Sequence, residues 1–156
     1  LPVQSQSIQS MKFTWTSFKQ AETAKTVGSV LQTDLPLLGI EALPAKIDTG
    51  AFSGALHATR MREVKDKQGN KRLRFQPLSS SDHTLEVDAY HKRRVKSSNG
   101  LVSIRYAIDT EVTILGQTYP ITLTLTDRAS MKYQMLIGRN FLRLHGFLVD
   151  VTKRSK

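Results

Sequence analysis

From Val27 onward, short apolar runs alternate with polar residues and are separated by turn signals. This spacing is typical of strands, in which successive side chains point to opposite faces of a sheet. The clearest case is the segment 121–125, where isoleucine and leucine alternate with threonine. Such a strand is expected to have one buried face and one face toward solvent. The pattern therefore predicts an all-β domain.

The predicted strands are joined by recognisable turns. Gly39 ends a turn over 35–39, the polar segment 66–70 suits a hairpin loop, and Asn99-Gly100 indicates a two-residue hairpin turn. The pattern predicts strands at 27–31, 44–48, 58–64, 73–77, 85–90, 101–108, 111–115, 119–125 and 147–151.

One short helix is predicted near the C-terminus. The segment 139–145 places apolar residues at 141, 142 and 144 between basic ones, and Gly146 follows in a position that ends helices. The segment 135–138 before it predicts a strand that runs through Gly138 into the helix. The fold class predicted from these patterns is all-β with one short C-terminal helix.

Residues 1–26 differ from the rest, because Gln, Ser and Thr dominate and the apolar pattern is weak. They predict an N-terminal arm or linker, with a short strand at 13–18, ahead of a domain over 27–156. No apolar run approaches the roughly 18 residues needed to cross a bilayer. The chain does not begin with Met, so it is either processed or shortened. The compartment stays open, with the periplasm, after loss of an export signal or anchor, favoured over the cytoplasm.

Composition adds one strong signal and one exclusion. The 23 Lys and Arg residues exceed the 13 Asp and Glu residues and give a formal charge of +10. This field attracts polyanions, acidic substrates or an anionic membrane, although a solvated basic surface explains the charge equally. Cysteine is absent, which excludes disulfides, thiol catalysis and thiolate metal sites.

The first candidate for chemistry is Asp48, at the end of a predicted strand and followed by Thr49 and Gly50. Gly permits a tight turn, so a rigid backbone would present a carboxylate and a hydroxyl. An ordinary turn after a strand is the competing interpretation. A single carboxylate also hydrolyses peptides poorly, because acid-base catalysis needs one ionised and one protonated group together.

Three segments in this order resemble a known type of enzyme. The Asp-Thr-Gly-Ala strand end, the hairpin over 96–104 and the Leu-Ile-Gly-Arg-Asn segment at 136–140 together resemble a retroviral-type aspartic protease subunit. The segments 45–51, 55–58, 95–100, 125–128, 131–133 and 135–139 are similar to a bacterial and archaeal family labelled ATP-dependent zinc protease. The resemblance covers about 27–152 and implies a retropepsin-like β-barrel.

The resemblance also implies roles for individual residues. Asp48 would be the catalytic carboxylate, paired with Asp48 of a second subunit, with Thr49 bonded across the two-fold axis and Gly50 allowing close approach. The hairpin over 97–102 would be the flap over the peptide, and 147–151 would approach an intersubunit sheet. The substrate contacts that it implies are Ala51, Phe52, Ser53, Ser98, Asn99, Gly100, Leu101, Gly138 and Arg139.

The chain departs from the retroviral pattern after Ala51. Two acidic residues commonly follow there, whereas this chain has Phe52 and Ser53. Arg139, which pairs with the first of those acids in the retroviral enzymes, therefore needs another partner or points to solvent. We expect a different substrate preference, and a stiffer flap since Gly100 is its only glycine.

The sequence contains no motif for the zinc or the ATP named in that family label. His57, His83, His91 and His145 are widely separated, there is no His-Glu-x-x-His, and no phosphate-binding glycine loop occurs. A lone histidine is usually a surface or packing residue. We therefore expect no cofactor and no metal.

Three hypotheses follow. The first is a homodimeric aspartic endopeptidase that acts on a peptide or protein. The second is a catalytically silent module that binds an acidic protein or polyanion, although nothing beyond charge indicates nucleic acid. The third is a peptidase with an acidic substrate, since relatives are associated with enzymes that add glutamates to proteins.

Overall fold

A computed structural model of the protein describes residues 25–79, 82–96 and 99–153, and only the backbone of residues 95 and 96. The strand predicted at 13–18, and nearly all of the predicted arm, lie outside the described residues. The described strands are β1 (Thr26–Val27), β2 (Val30–Leu35), β3 (Ile40–Asp48), β4 (Gly54–Lys65), β5 (Lys71–Pro77), β6 (Leu85–Val87), β7 (Tyr90–Lys96), β8 (Val102–Ile114), β9 (Gln117–Thr126), β10 (Met135–Gly138) and β11 (Leu148–Val149).

Six strands close into a barrel in the order β10-β3-β2-β8-β9-β4. Closure occurs at β10, which pairs in parallel with β3 and antiparallel with β4. A closed sheet leaves no free edge, and its inward side chains form one core. The helix α1 (Arg139–Leu144) follows β10 directly. The predicted all-β barrel with one short helix is confirmed.

The core consists of aliphatic side chains that alternate along the strands. In β9, Ile121, Leu123 and Leu125 are buried as the alternation predicts, and Thr124 is buried as well. Several side chains of the core are fully enclosed, among them Leu31, Leu56, Leu73, Phe75, Ile108, Leu123, Met135 and Ile137.

Three parts extend from the barrel. Strand β5 pairs with β4 and carries β6 on its other side. The hairpin of β7 and β8 continues past the barrel wall. Strands β1 and β11 form a separate parallel pair that joins the two ends of the described chain.

Two of the predicted turns and the predicted helix end are present. A 3-10 helix at Pro36–Leu38 leads into Gly39, whose φ is +67°. The Asp66 carboxylate accepts backbone N–H bonds from Gln68 and Asn70, both at 2.9 Å, and so closes the loop between β4 and β5. Gly146, with φ of +70°, follows the helix as predicted.

Four predictions of local structure are wrong. The single strand predicted at 27–31 is divided into β1 and β2, which pair with different strands. The segments predicted as separate strands at 101–108 and 111–115 form the single strand β8, because pairing with β9 continues without interruption from Ala107 to Ile114. The single strand predicted at 85–90 is divided into β6 and β7, which pair with different strands. The described pairing of β7 with β8 begins at Lys96–Val102, so the connection between these strands is longer than the predicted two-residue turn. Within the described residues, no helix is long and apolar enough to cross a membrane.

Candidate active site

Asp48 is placed by the barrel itself. It is the last residue of β3, and its backbone lies beside Gly138 in the parallel pairing of β3 with β10. The preceding pair, Ile47 and Ile137, is buried in the core. Because both strands belong to the closed sheet, the position of the Asp48 backbone is fixed, while its half-buried side chain projects from the strand end.

The turn after Asp48 orients its carboxylate. The Gly50 N–H donates to Asp48 Oδ1 at 2.9 Å, and the Ala51 N–H donates to the Asp48 carbonyl at 3.3 Å. Asp48 Oδ2 accepts no hydrogen bond within the part of the chain that the structure describes. A Cβ at residue 50 would lie 3.2 Å from Oδ1, so glycine keeps this contact unstrained. One oxygen is therefore held and the other is available.

Gly138 allows the loop after Asp48 to pack against β10. A Cβ at this position would lie 2.6 Å from the Phe52 carbonyl oxygen and 2.7 Å from that of Ser53. Both contacts are with backbone, which cannot rotate away as a side chain can. The Arg139 N–H then donates to the Ala51 carbonyl at 2.8 Å, and the Asn140 N–H to that of Phe52 at 3.0 Å. These bonds satisfy N–H groups that the first turn of α1 leaves unpaired.

Arg139 has a partner other than an acid. Its Nη1 donates to the Gly50 carbonyl at 3.0 Å, and its guanidinium carbon lies 5.5 Å from the centre of the Phe52 ring. The first of the two alternatives expected for Arg139, another partner, is therefore the one observed. The aromatic ring takes the place of the acid found after Asp-Thr-Gly-Ala in retroviral enzymes.

Strand β7 is linked to the loop after Asp48 by a side-chain contact. Arg93 of β7 donates from Nη1 to the Ser53 hydroxyl at 3.0 Å. Asn99, Gly100 and Leu101 lie exposed at the hairpin tip. Ser98, predicted to contact substrate, lies outside the described residues.

Comparison with known proteins gives a consistent result. The family described as Retropepsin-like aspartic endopeptidase RimB matches residues 26–155. The chain belongs to the RimB-like family. A Legionella pneumophila protein of unknown function has a similar crystal structure, with a TM-score of 0.68 and 28% sequence identity over 84% of this chain and 96% of that one.

Curated relatives of this RimB-like chain carry a different name. A "Probable alpha-L-glutamate ligase" of Shewanella halifaxensis is 35% identical over 118 residues, and one of Parasynechococcus marenigrum is 32% identical over 117 residues. Both alignments cover 72% of this chain but only 26% and 25% of the two relatives. The RimB-like chain therefore spans about a quarter of their length.

Sequence reasoning missed the contact of Arg93 with Ser53 in this RimB-like domain, because it depends on how the hairpin of β7 and β8 packs. His57 is buried, and its Nδ1 accepts the Arg128 N–H at 2.8 Å. It is thus a packing residue, as expected of a lone histidine. Among the described residues, no three His, Asp or Glu side chains come together as a metal site would require.

A charged cluster also connects β4 to β7. Glu63 accepts a hydrogen bond from the Tyr90 hydroxyl at 2.7 Å and forms an ion pair with Lys92. The hydrogen bonds from Lys92 and Tyr90 lower the pKa of Glu63. The bond to Glu63 raises the pKa of Tyr90 to about 12.

Proposed function

We propose that this chain is an aspartic endopeptidase whose active site forms when two copies each contribute Asp48. The observation that carries the proposal is the geometry at the end of β3, where Oδ1 of Asp48 is held by the Gly50 N–H and Oδ2 accepts no bond from the described residues. A single carboxylate of this kind is half of a general acid-base pair. A second copy, related by a two-fold axis, would supply the same group from the same surface.

The surface around Asp48 supports pairing of two subunits. Thr49 and Gly50 are exposed in the single chain, where the resemblance to retroviral enzymes puts contacts across the axis. Near the C-terminus, Leu144, Leu148 and Val151 expose 72%, 49% and 80% of their surface. Apolar groups of this size are costly to leave in water, and a second subunit would cover them.

The proposed chemistry follows from repulsion between like charges. Two carboxylates about 3 Å apart cannot both ionise, so the pair holds one proton and titrates as a unit. The ionised Asp48 takes a proton from water as the water attacks the scissile carbonyl. The protonated Asp48 donates to the developing oxyanion, which gives a gem-diol intermediate. The first Asp48 then passes the proton that it took from water to the nitrogen as the C–N bond breaks, and a gem-diol hydroxyl returns a proton to the other carboxylate, so the pair again holds one proton.

The test is the substitution Asp48→Asn, with Asp88→Asn as the matched control. The amide oxygen of the substituted side chain can still accept the Gly50 N–H, so the fold is expected to persist, while the proton-sharing pair is lost. Cleavage of a peptide library at mildly acidic pH should fall about a thousandfold or more. Asp88 is exposed and its carboxylate has no bond within the described residues, so its variant should cleave normally. Unchanged cleavage by the Asp48 variant would reject the proposal.

A second candidate is a binding module without catalysis, favoured by the charge of +10 and by Phe52 and Ser53 in place of acids. Its affinity for a polyanion should then fall steeply with salt while cleavage remains absent. The two candidates share an acidic ligand. An acidic substrate for the endopeptidase is supported by the same charge and by the glutamate ligase names of the relatives.

A further inference from the structure

A second concave surface lies on the sheet that extends from the barrel. It forms an open groove of about 800 Å³ on β4, β5 and β6. Leu73 and Phe75 of β5 point into the core, so Arg74 and Gln76 point to the other face, where the groove lies. We call this surface the arginine groove, and the residues that line it are Arg60, Met61, Arg62, Arg74, Gln76, Thr84 and Glu86.

Positive charge in the arginine groove is only partly neutralised. Glu86 is the one carboxylate among its described lining residues, and Arg74 already binds it through Nε at 2.9 Å and Nη2 at 2.7 Å. Arg72, next to the groove, lies 3.8 Å from the other Glu86 oxygen. Arg60 and Arg62 have no ion pair in the described part of the chain. The single acid is therefore shared by two arginines, and two more remain unneutralised.

The register of the strands makes this arrangement unfavourable by itself. Arg62 lies directly opposite Arg74 in the pairing of β4 with β5. Like charges directly opposite each other destabilise a sheet. The register shifts between Thr59 and Arg62, and Arg60 adopts a φ of +54°, so this bulge brings a third guanidinium to the same groove. A ligand with several negative charges would relieve the repulsion.

Carboxylates suit the arginine groove better than nucleic acid does. Guanidinium groups bind carboxylates through paired N–H donors, and several carboxylates could be bound at once in a groove of this size. Sequence-tolerant binding of nucleic acid depends on aromatic side chains that stack on the bases. The lining contains Met61, Gln76 and Thr84 but no aromatic residue among those that the structure describes.

The arginine groove is also distant from Asp48. The loop after Asp48 packs against Gly138 and leads into Gly54 at the start of β4, whereas Arg62 lies eight residues further along this strand, a path of at most about 26 Å at the rise of a strand. A peptide segment bound in the groove would therefore not contain the bond that is cleaved. We propose that the arginine groove is a docking site for an acidic segment of the polypeptide substrate, which raises the local concentration of the substrate near Asp48. The proposal rests on the proposed peptidase function.

The test combines Arg60→Gln with Arg62→Gln. The control combines Lys67→Gln with Arg143→Gln, which removes the same charge from exposed positions outside the groove. Both pairs are made in the Asp48→Asn background, so that binding is measured without cleavage. The probe is a fluorescein-labelled oligo-glutamate peptide, followed by anisotropy, with an oligo-glutamine peptide as the neutral reference.

The groove variant should bind oligo-glutamate about tenfold more weakly, and the control variant less than about twofold more weakly. In the active enzyme, the groove variant should raise KM for a substrate with an acidic tail, leave kcat unchanged and cleave a short neutral peptide normally.

Equal losses of oligo-glutamate binding in both variants would overturn the proposal, because bulk charge would then explain the binding. Tighter binding of a labelled DNA oligonucleotide through the same arginines would also overturn it. The peptidase function fails separately: groove-dependent binding of oligo-glutamate together with normal cleavage by the Asp48→Asn variant would reject only that function.

Discussion

The loop around Asp48 and the arginine groove are built on opposite principles. The loop is fixed by backbone hydrogen bonds and by Gly138, where a Cβ would collide with main-chain atoms. The groove is made of long charged side chains on a bulged sheet, where Glu86 holds Arg74 but Arg60 and Arg62 have no ion pair among the described residues. The proposed reactive group therefore has a rigid support, whereas the proposed docking surface depends mainly on its charge. Substitutions should therefore affect the two regions very differently.

The largest effect on stability is expected at Gly138. Gly138→Ala would place a Cβ against the Phe52 and Ser53 carbonyls, so the loop must move. We expect a loss of about 3 kcal/mol in the free energy of unfolding and about a hundredfold loss of cleavage. Chemical denaturation and peptide cleavage measure the two effects.

Gly39→Ala is the matched control for Gly138→Ala. Nothing lies within 4 Å of a Cβ at Gly39, but its φ of +67° disfavours alanine. This variant should lose about 1 kcal/mol of stability and keep its activity. Equal effects of the two substitutions would contradict a special role for close packing at Gly138.

An intermediate effect on stability is expected from the cluster of Glu63, Tyr90 and Lys92 between β4 and β7. Hydrogen bonding to Glu63 raises the pKa of Tyr90 above its ordinary value of 10.0 to about 12. The hydrogen bond between Tyr90 and Glu63 therefore stabilises the fold fully below pH 10. That stabilisation is lost as the pH rises from about 10 to 12. Tyr90→Phe should weaken the fall of the melting temperature in this range.

In the acidic range, the dependence of the melting temperature on pH has the opposite sign. The pKa of Glu63 is lowered by Lys92 and Tyr90, so its contribution is present above its ordinary pKa and is lost as the pH falls through the lowered one. Glu63→Gln should weaken the dependence of the melting temperature on pH in the acidic range. An unchanged profile in both variants would show that the cluster does not stabilise the hairpin.

The smallest effect on stability is expected at Arg62. Arg62→Gln removes one of two like charges that face each other across β4 and β5. We expect the melting temperature to stay the same or to rise slightly, since a surface charge contributes little and this one is repelled. A clear fall in thermal denaturation would contradict the view that the groove is not built for stability.

The sequence predicted those parts of the protein that depend on neighbouring residues. Alternation at 121–125 predicted a strand, Gly146 predicted the end of α1, and the Asp-Thr-Gly turn placed Asp48 at a strand end. The motif resemblance then led to the barrel. Each of these signals is complete within a few residues of the chain.

The parts that were not predicted depend on pairing between distant segments. Asp109 and Thr110 suggested a break, yet β8 continues through them because Asp109 accepts the Thr122 hydroxyl at 2.7 Å and Thr110 is buried opposite Ile121. The arginine groove likewise depends on the register that sets Arg62 against Arg74. Its residues appear in the sequence only as separate basic positions.

The most direct test of the central claim is a subunit-mixing experiment. Wild-type chain and Asp48→Asn chain are refolded together in known ratios, with exchange verified by a mass tag on one of them. If each site needs Asp48 from two copies, cleavage should follow the square of the wild-type fraction, about a quarter of full activity in an equal mixture. A linear decline, with about half of the activity in that mixture, would contradict the account.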